Sequence, residues 1–599
     1  MPRELVPELH DVLKLTVLKH NFSDFDPFQS HAPDTPTWRG ILQHHCDSSF
    51  PAYPSDRETF LLHVADGLAS NFSRHPQSIQ RDVAWTVHRL WNPTETVNDE
   101  RLSTSSEIGA MLKFLATDPD FEEFYTRYRS ILRARAEDAH PGKNVTTLET
   151  HARLTGRFYR FLQKARTLGI EDREVREAAA RGVQAVAGLR EQKKREWHLY
   201  LFRCRLHILT NPFRARDMNI FALLEEFLAE ASAQLGDNTL YASAEELILY
   251  SDDVDILNEL TSLAAPRGIV LEIRRDRLRV DELNLNFRKA ELQRAYPRLE
   301  AAVAPPLCEI CQMHRATRIW PDDYIASKGA EAGEVAQGRD YLCETCFSIR
   351  SRPSKLMKLA KWDEWSQGDL IWIRCGLDFD RLHESLRQLY LVYLRSLDPN
   401  IPEKKAEVRF SLLAEFQQDY ERYLARLRDS LRELFGQERV ETVLPDLLCI
   451  QAERGVDVFS VLRCFLKAAE RFFPALLGTP GCPLRVSVTY CNVRHPFFEV
   501  WRQWEEQESE LEITAVGHGR VRLEMKHLER FLTLADMPFR QSALHNLADI
   551  SRISQELAEL RFRAAREKGE RDTFERLKEF LPLGLTFEGV LTLAKLMGG

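Results

Sequence analysis

No apolar run in this chain approaches membrane-spanning length, which argues against a helical membrane protein. The first residues, MPRELVPELHDVLKL, carry charges where a secretory leader would carry an apolar core, so export is not expected. Framework spacing is missing from seven of the eleven cysteines (Cys46, Cys204, Cys375, Cys449, Cys464, Cys482, Cys491), which fits a reducing, cytoplasmic location. No Gly/Ser linker or low-complexity tract interrupts the chain. An excess of basic charge is also missing: 82 Lys and Arg face 90 Asp and Glu, a formal net charge of −8. That disfavours a chain that coats nucleic acid alone, but leaves room for a local basic groove or for nucleic acid presented by partner subunits. At 599 residues the chain exceeds what one core can organise, and three to five domains are expected.

The most specific motif is a pair of CxxC knuckles, Cys308–Cys311 and Cys343–Cys346. Each knuckle turns two sulfurs toward one ion, and four thiolates complete a tetrahedral zinc site. A site closed by four thiolates has no open position, so this zinc is expected to be structural.

The texture changes along the chain. Residues 1–101 read as helical and histidine-rich, and 102–195 as a charged helical extension. Strand-like HLYLFRCRLHILT, TLYASAEELILYSDD and IVLEIRR then alternate with helical segments in a β-α-β-β-α-β order across 196–300. The zinc segment takes 301–365. The same order returns in 366–519, with DLIWIRCGLDFD, the hairpin VETVLPDLLCIQA and LRVSVTYCNV as strands. From 520 to 599 the chain reads as helical and charged. The fold class is therefore α+β and multi-domain. SDDVD (251–255) is expected to end a strand and cap the next helix. The basic runs REQKKREW, FRAR and RRDRLR are either solvated faces or contacts to RNA phosphates.

Seven of the 18 histidines fall within the first 75 residues. His63 and Asp66 are three apart on a helical pattern and share a face. Imidazole with carboxylate is a donor set for manganese, nickel or cobalt.

Taken together, His10-Asp11, the stretch His44 to Asp66, the four cysteines, LDFDRL (377–382) and VSVTYCNVRHPFFEVW (486–501) resemble the large, polymerase/cyclase-type subunit of type III CRISPR–Cas complexes. The resemblance implies an N-terminal HD nuclease domain, two ferredoxin-like palm modules flanking a four-cysteine zinc element, and a C-terminal helical domain. It implies that His10, Asp11, His44, His45, His63 and Asp66, with Lys14, form the nuclease site. Of these, His10, Asp11, His45 and Asp66 would hold a divalent Mn²⁺, Ni²⁺ or Co²⁺ ion that activates water against a phosphodiester. It further implies guide CRISPR RNA, target RNA, repeat-family RNA-binding subunits and a small helical subunit as partners, and single-stranded DNA as substrate.

The second palm departs from the family pattern. Asp378 and Asp380 match the first carboxylate cluster, but the Gly-Gly-Asp-Asp hairpin tip is replaced by Val443-Leu444-Pro445-Asp446, leaving Asp446 as a remnant. Proline deletes a backbone donor and leucine adds bulk where phosphate would lie. Loss of cyclic-oligoadenylate synthesis is expected. A non-catalytic scaffold and a stand-alone HD phosphohydrolase acting on nucleotides are the alternative readings.

Overall fold

A computed structural model describes most of residues 5–536. Residues 1–4, 16–34, 46–51, 74–86, 96–100, 138–143, 166, 209–214, 281–290, 296–305, 313, 329–338, 353–367, 404–405, 407, 480, 494 and almost all of 537–599 lie outside the description. His20, His31, His75 and Cys46 fall there, as does nearly all of the expected C-terminal helical domain beyond Asp536. Among the described residues, no helix is long and apolar enough to cross a membrane.

The N-terminal unit is built from helices α1 (Pro36–Gln43), α2 (Arg57–Ser73), α3 (Ser105–Leu115), α4 (Phe121–Ala134), α5 (Leu148–Lys164), α6 (Asp172–Arg181) and α7 (Val183–Glu196). Local sequence sets their starts. Thr35, Thr104, Asp120 and Thr147 each accept a backbone N–H of the first turn. Along α5, Leu148, His151, Ala152, Thr155, Phe158, Tyr159 and Leu162 recur at three- and four-residue spacing and are all buried.

The next unit runs β1 (His198–Ile208), α8 (Asn219–Leu235), β2 (Thr239–Ala242), β3 (Glu246–Ser251), α9 (Ile256–Ala264), β4 (Ile269–Arg279) and β5 (Glu291–Ala295). Its sheet order is β2-β3-β1-β4-β5 with every pairing antiparallel, so the first four strands have the split, ferredoxin-like β-α-β-β-α-β topology. Gly268 ends the turn after α9 at φ 69°, a left-handed conformation that a side chain disfavours. SDDVD does end β3, but it does not cap α9. Asp255 makes no side-chain cap, Asp253 closes its own turn on the Asp255 N–H, and Asp252 accepts from Thr167.

A small element follows, with β6 (Arg318–Trp320), α10 (Asp322–Lys328), β7 (Asp340–Leu342) and α11 (Glu344–Ser351). The second sheet unit then repeats the topology: β8 (Asp369–Leu377), α12 (Phe379–Leu397), α13 (Phe410–Phe435), β9 (Val440–Leu444), β10 (Leu447–Ala452), α14 (Asp457–Phe472) and β11 (Leu484–Asn492). Its order is β13-β12-β11-β8-β10-β9, where β12 (Leu511–Ala515) and β13 (Gly519–Leu523) follow a helix α15 (Phe497–Glu505). The boundary expected at 519/520 therefore falls at β13, and the sheet continues past it. Alternating Gly519-Arg-Val-Arg-Leu523 pairs along β12 and buries Val521 and Leu523, which outweighs the helical look of the charged sequence beyond.

One apolar core joins the units. Phe158 and Phe161 of α5 meet Tyr250 of β3 at ring separations of 5.2 and 4.9 Å. Trp91 donates to Asp419 of α13 at 2.9 Å. The small element is held to the first sheet unit by Arg350, whose Nε and Nη2 donate to the two oxygens of Asp217 at 2.6 and 2.8 Å, both side chains 1% exposed. Such a pair contributes little net stability, but breaking it strands a buried charge. Arg350→Ala is expected to destabilise the chain by about 3–5 kcal/mol in denaturant titration, and Arg350→Met with Asp217→Leu to restore most of that.

Candidate metal centres and the palm remnant

His10 and Asp11 do not lie on a helix. They form a turn between the short 3₁₀ segments Pro7–Leu9 and Val12–Leu15, stabilised by the His10 N–H on the Pro7 carbonyl and the Lys14 N–H on the Asp11 carbonyl. Pro7 opens the first segment with its φ preset. The turn delivers both side chains to α2, which presents Asp66, and to α5, which presents His151.

Four donors converge there. His10 Nε2 lies 3.4 Å from Asp11 Oδ2, 3.5 Å from Asp66 Oδ1 and 3.3 Å from His151 Nε2. His151 Nε2 lies 3.3 Å from Asp11 Oδ2 and 3.1 Å from Asp66 Oδ1. A tetrahedron with bonds of about 2.1 Å has edges of roughly 3.4 Å. These separations match it closely, so the residues fit a divalent transition ion. The far ring nitrogens are also set. His10 Nδ1 is 2.8 Å from the Pro7 carbonyl, and His151 Nδ1 faces Glu137 Oε1 at 3.3 Å. Contacts of this kind leave Nε2 as the ligand atom. Asp66 is the most open of the four side chains, at 16% exposed against 0–3% for the others, so the cluster is approached from its side.

Charge explains the site's chemistry without an ion. Burial alone would lower His10, but the carboxylates of Asp11 and Asp66 outweigh it and raise the imidazole to about 10. Glu137, Asp11 and Asp66 likewise raise His151 against its burial. Burial would raise Asp11, yet Lys14 and His10 hold it well below the usual range. Asp66 is held low against its burial by hydrogen bonds from His10 and His151. A proton thus occupies His10 across neutral pH, and His151 holds its proton more tightly than a free imidazole, so a metal must displace protons to bind. Raising pH removes the competitor, so Mn²⁺ affinity should climb from pH 6 to pH 8, by up to about tenfold per unit for each proton displaced. Titration calorimetry in two buffers of different ionisation enthalpy would show the released protons. A flat profile would mean the histidines are not ligands.

The other expected site residues spread around this centre. Asp11 also belongs to a second group with His44 and His45, whose donors lie within 4.8 Å of one another. His44 caps the end of α1, with Nδ1 3.0 Å from the Ile41 carbonyl and Nε2 3.5 Å from Asp11 Oδ1. The His45 ring lies against His44, tilted by 44° at a centroid separation of 3.7 Å. Lys14 Nζ sits 2.6 Å from Asp11 Oδ2, as a counter-charge rather than a ligand. His63 belongs to neither group. It is buried one turn before Asp66, on the His44 side, and is held neutral by burial and then by Arg190. Its i,i+3 relation to Asp66 is present, but the two side chains diverge from one donor set. His151 and Glu137 were missed by the sequence reading. The available signal was a histidine among the apolar positions of α5, in THARLTGRFYRF, with nothing local to tie it to His10 141 residues away.

Cys308, Cys311, Cys343 and Cys346 form a third group, all buried. Cys311 Sγ and Cys343 Sγ are 3.8 Å apart, the edge of a tetrahedron with bonds of about 2.3 Å. Cys343 also N-caps α11, its sulfur accepting the Cys346 N–H at 3.4 Å. Gln312, at φ 54°, turns the other knuckle.

Arginines take up the carboxylates of the second sheet unit. Asp378 N-caps α12 on the Arg381 N–H at 3.1 Å and pairs with Arg485. Asp380 accepts from Arg203 of β1 at 2.7 Å, with Arg205 at 3.8 Å. Arg374 of β8 pairs with Glu245 across the two units. Asp446, at the β9–β10 turn, is half-buried, and desolvation pushes its carboxyl up to about 6. The three acids do not share a donor set with one another.

Neither family models nor curated proteins match this chain. Solved structures do. Csm1 in the Csm1–Csm4 cassette with AMPPNP is 12% identical, with a TM-score of 0.50 over 99% of both chains. Csm1 from T. onnurineus is 12% identical at a TM-score of 0.45, over 90% of this chain and 88% of its own. The Csm1–Csm4 cassette with cA4 gives the same values. Over its whole length the chain therefore has the fold of Csm1, the type III CRISPR large subunit that its sequence resembles.

Proposed function

We propose that this protein is the large subunit of a type III CRISPR RNA-guided interference complex that cleaves single-stranded DNA at the His10–Asp11–Asp66–His151 centre and has lost cyclic-oligoadenylate synthesis. The convergence of those four donors, from three separate segments, carries the nuclease reading. A divalent ion held there supplies Lewis acidity and an activated water to phosphodiester hydrolysis. The chain's own residues position that chemistry. The Pro7 carbonyl and Glu137 orient the two imidazoles, Lys14 keeps Asp11 ionised, and Asp66 faces the side from which a strand can enter. The four-cysteine group fits a structural zinc. By analogy with the solved cassettes, the chain would assemble with a subunit like Csm4 and, through it, with guide and target RNA.

The arginine pairs support loss of the cyclase. Two metal ions need unpaired carboxylates aimed at one point, whereas Asp378 and Asp380 each hold a guanidinium. The purified complex, given target RNA, ATP and Mg²⁺, is expected to make no cyclic oligoadenylate while cutting single-stranded DNA with Mn²⁺. Such products, lost on Asp378→Ala with Asp380→Ala, would overturn the palm reading. Hydrolysis of nucleotides with no cleavage of DNA would favour a phosphohydrolase. Absence of both activities with every divalent ion would leave the scaffold role.

A further inference from the structure

A cavity of about 470 Å³ lies where α4, α5, β2 and α13 meet, and none of the metal-centre residues lines it. Four arginines do: Arg133, Arg153, Arg157 and Arg422, against two carboxylates, Glu149 and Glu421. Glu149 is already committed, to Arg133 at 2.7 Å and Arg153 at 3.2 Å. Glu421 accepts from Gln417 at 2.9 Å.

Two guanidiniums are left short of partners. Arg153, Arg157 and Arg160 form a row on one face of α5, at i, i+4 and i+7. Its outer members are neutralised, Arg153 by Glu122 and Glu149, Arg160 by Glu8 and Asp237. Arg157 between them makes one hydrogen bond, to the Thr239 carbonyl at 2.9 Å, and has no carboxylate within ion-pair distance among the described residues. Burial is the main influence lowering its proton affinity, with like charge from Arg153 and Arg160 adding to it. Arg422 spends Nη1 on Asp419 at 2.9 Å, while its buried Nη2 meets no partner. Beside it, the buried Oε1 of Gln418 also lacks one. Arg157 further lines two other cavities, of about 590 and 460 Å³, so that it is common to all three.

A guanidinium cannot shed its proton in a protein, so the half-buried Arg157 with no carboxylate in ion-pair reach among the described residues, and the buried unpartnered Nη2 of Arg422, both favour an anion in this cavity. We propose that this cavity binds a phosphate ester, with Arg157 and Arg422 as the phosphate clamp and Gln418 accepting from a hydroxyl or amino group of the same ligand. Planar guanidiniums suit phosphate oxygens, which accept two parallel hydrogen bonds from one fork. The volume suits a mononucleotide-sized group. The phosphate could belong to a free nucleotide or to the end of an oligonucleotide.

The test is calorimetric titration of the whole chain, in EDTA at low salt, with pyrophosphate, ATP and a 5′-phosphorylated oligonucleotide. EDTA keeps the metal centre from contributing. At least one probe is expected to bind with Kd below about 1 mM. Arg157→Gln should weaken that binding at least about tenfold, and Arg422→Gln should weaken it independently. His10→Ala with His151→Ala should leave it unchanged, which separates this site from the nuclease reading. Tight pyrophosphate and ATP binding would identify a nucleotide site, and oligonucleotide binding alone would identify a strand end. Failure of all three probes at 1 mM, or equal binding by wild type and a folded Arg157→Gln or Arg422→Gln variant, overturns the proposal.

Discussion

Replacing His10 and His151 together by alanine is expected to abolish Mn²⁺-dependent cleavage of single-stranded DNA, with a loss of at least two orders of magnitude. The two imidazoles supply Nε2 donors 3.3 Å apart, and without them two carboxylates alone must hold the ion. The sequence alone favours His10→Ala with Asp11→Ala, as a ligand deletion on an inert helix; that pair is still expected to cost at least about tenfold. The turn geometry makes it the poorer test. Asp11 is the counter-charge of Lys14, which sits with it in the interior at 2.6 Å. Removing one partner of a buried ion pair costs about 3–5 kcal/mol, so lost activity could be lost folding. The histidine pair leaves the Lys14–Asp11 pair intact; because it also strips Asp66 and Glu137 of their imidazole partners, the variant's thermal midpoint is measured alongside its activity. Glu137→Gln should act more mildly, about 10–100-fold in metal affinity, since it orients His151 rather than binding the ion. Cleavage by the double histidine variant at the wild-type rate would place the nuclease elsewhere. A loss of cleavage with unchanged Mn²⁺ binding would show that these residues are not its ligands.

How far each site could be read from the sequence follows from how local its geometry is. The four-cysteine group was fully legible, because two CxxC knuckles specify both donors and direction within four residues each. The strand–helix alternation was legible too. Leu-Ile-Leu-Tyr in β3 and Val-Ser-Val-Thr in β11 have the right composition, and a β-α-β-β-α-β order permits few sheets. The metal centre was half legible. His10, Asp11 and Asp66 arrive from local motifs, as do His44 and His45 of the adjoining group, whereas His151 reaches the site only because α5 packs on α2 and on the Pro7–Leu9 turn. His63 erred in the opposite sense. Helical spacing put it on the face of Asp66, but the rotation of α2 sends its ring to the His44 side, where burial keeps it neutral. The arginines that take up Asp380 and Asp378 come from β1 and β11, 177 and 107 residues away respectively. No pattern within LDFDRL could disclose them, although VLPD already showed that the glycines of the hairpin tip were replaced.

One zinc ion per chain is expected in the purified protein, and removing it should unfold the element from Pro306 to Arg352. That element has little else to hold it. Its described apolar core is the four cysteines with Ile310, Trp320, Leu342 and Phe347, and its sheet is a pair of three-residue strands. So small a core does not stand alone. In isolated zinc fingers the metal contributes about 10–16 kcal/mol of folding free energy. Here the Arg350–Asp217 pair and the Asn219 amide, which donates to the Ile349 carbonyl at 3.1 Å, tether the element to the first sheet unit. Tethering moderates the loss without replacing it. Cys308→Ser should therefore lower zinc content toward zero and lower the midpoint of thermal unfolding. The fraction that remains folded should keep its Mn²⁺-dependent cleavage, because none of these four cysteines belongs to the His10–His151 centre. Elemental analysis, thiol titration and cleavage assays on one preparation would decide it. Four freely reactive thiols and no zinc in the wild type would refute the site. Intact zinc with selective loss of cleavage in Cys308→Ser would refute its structural role.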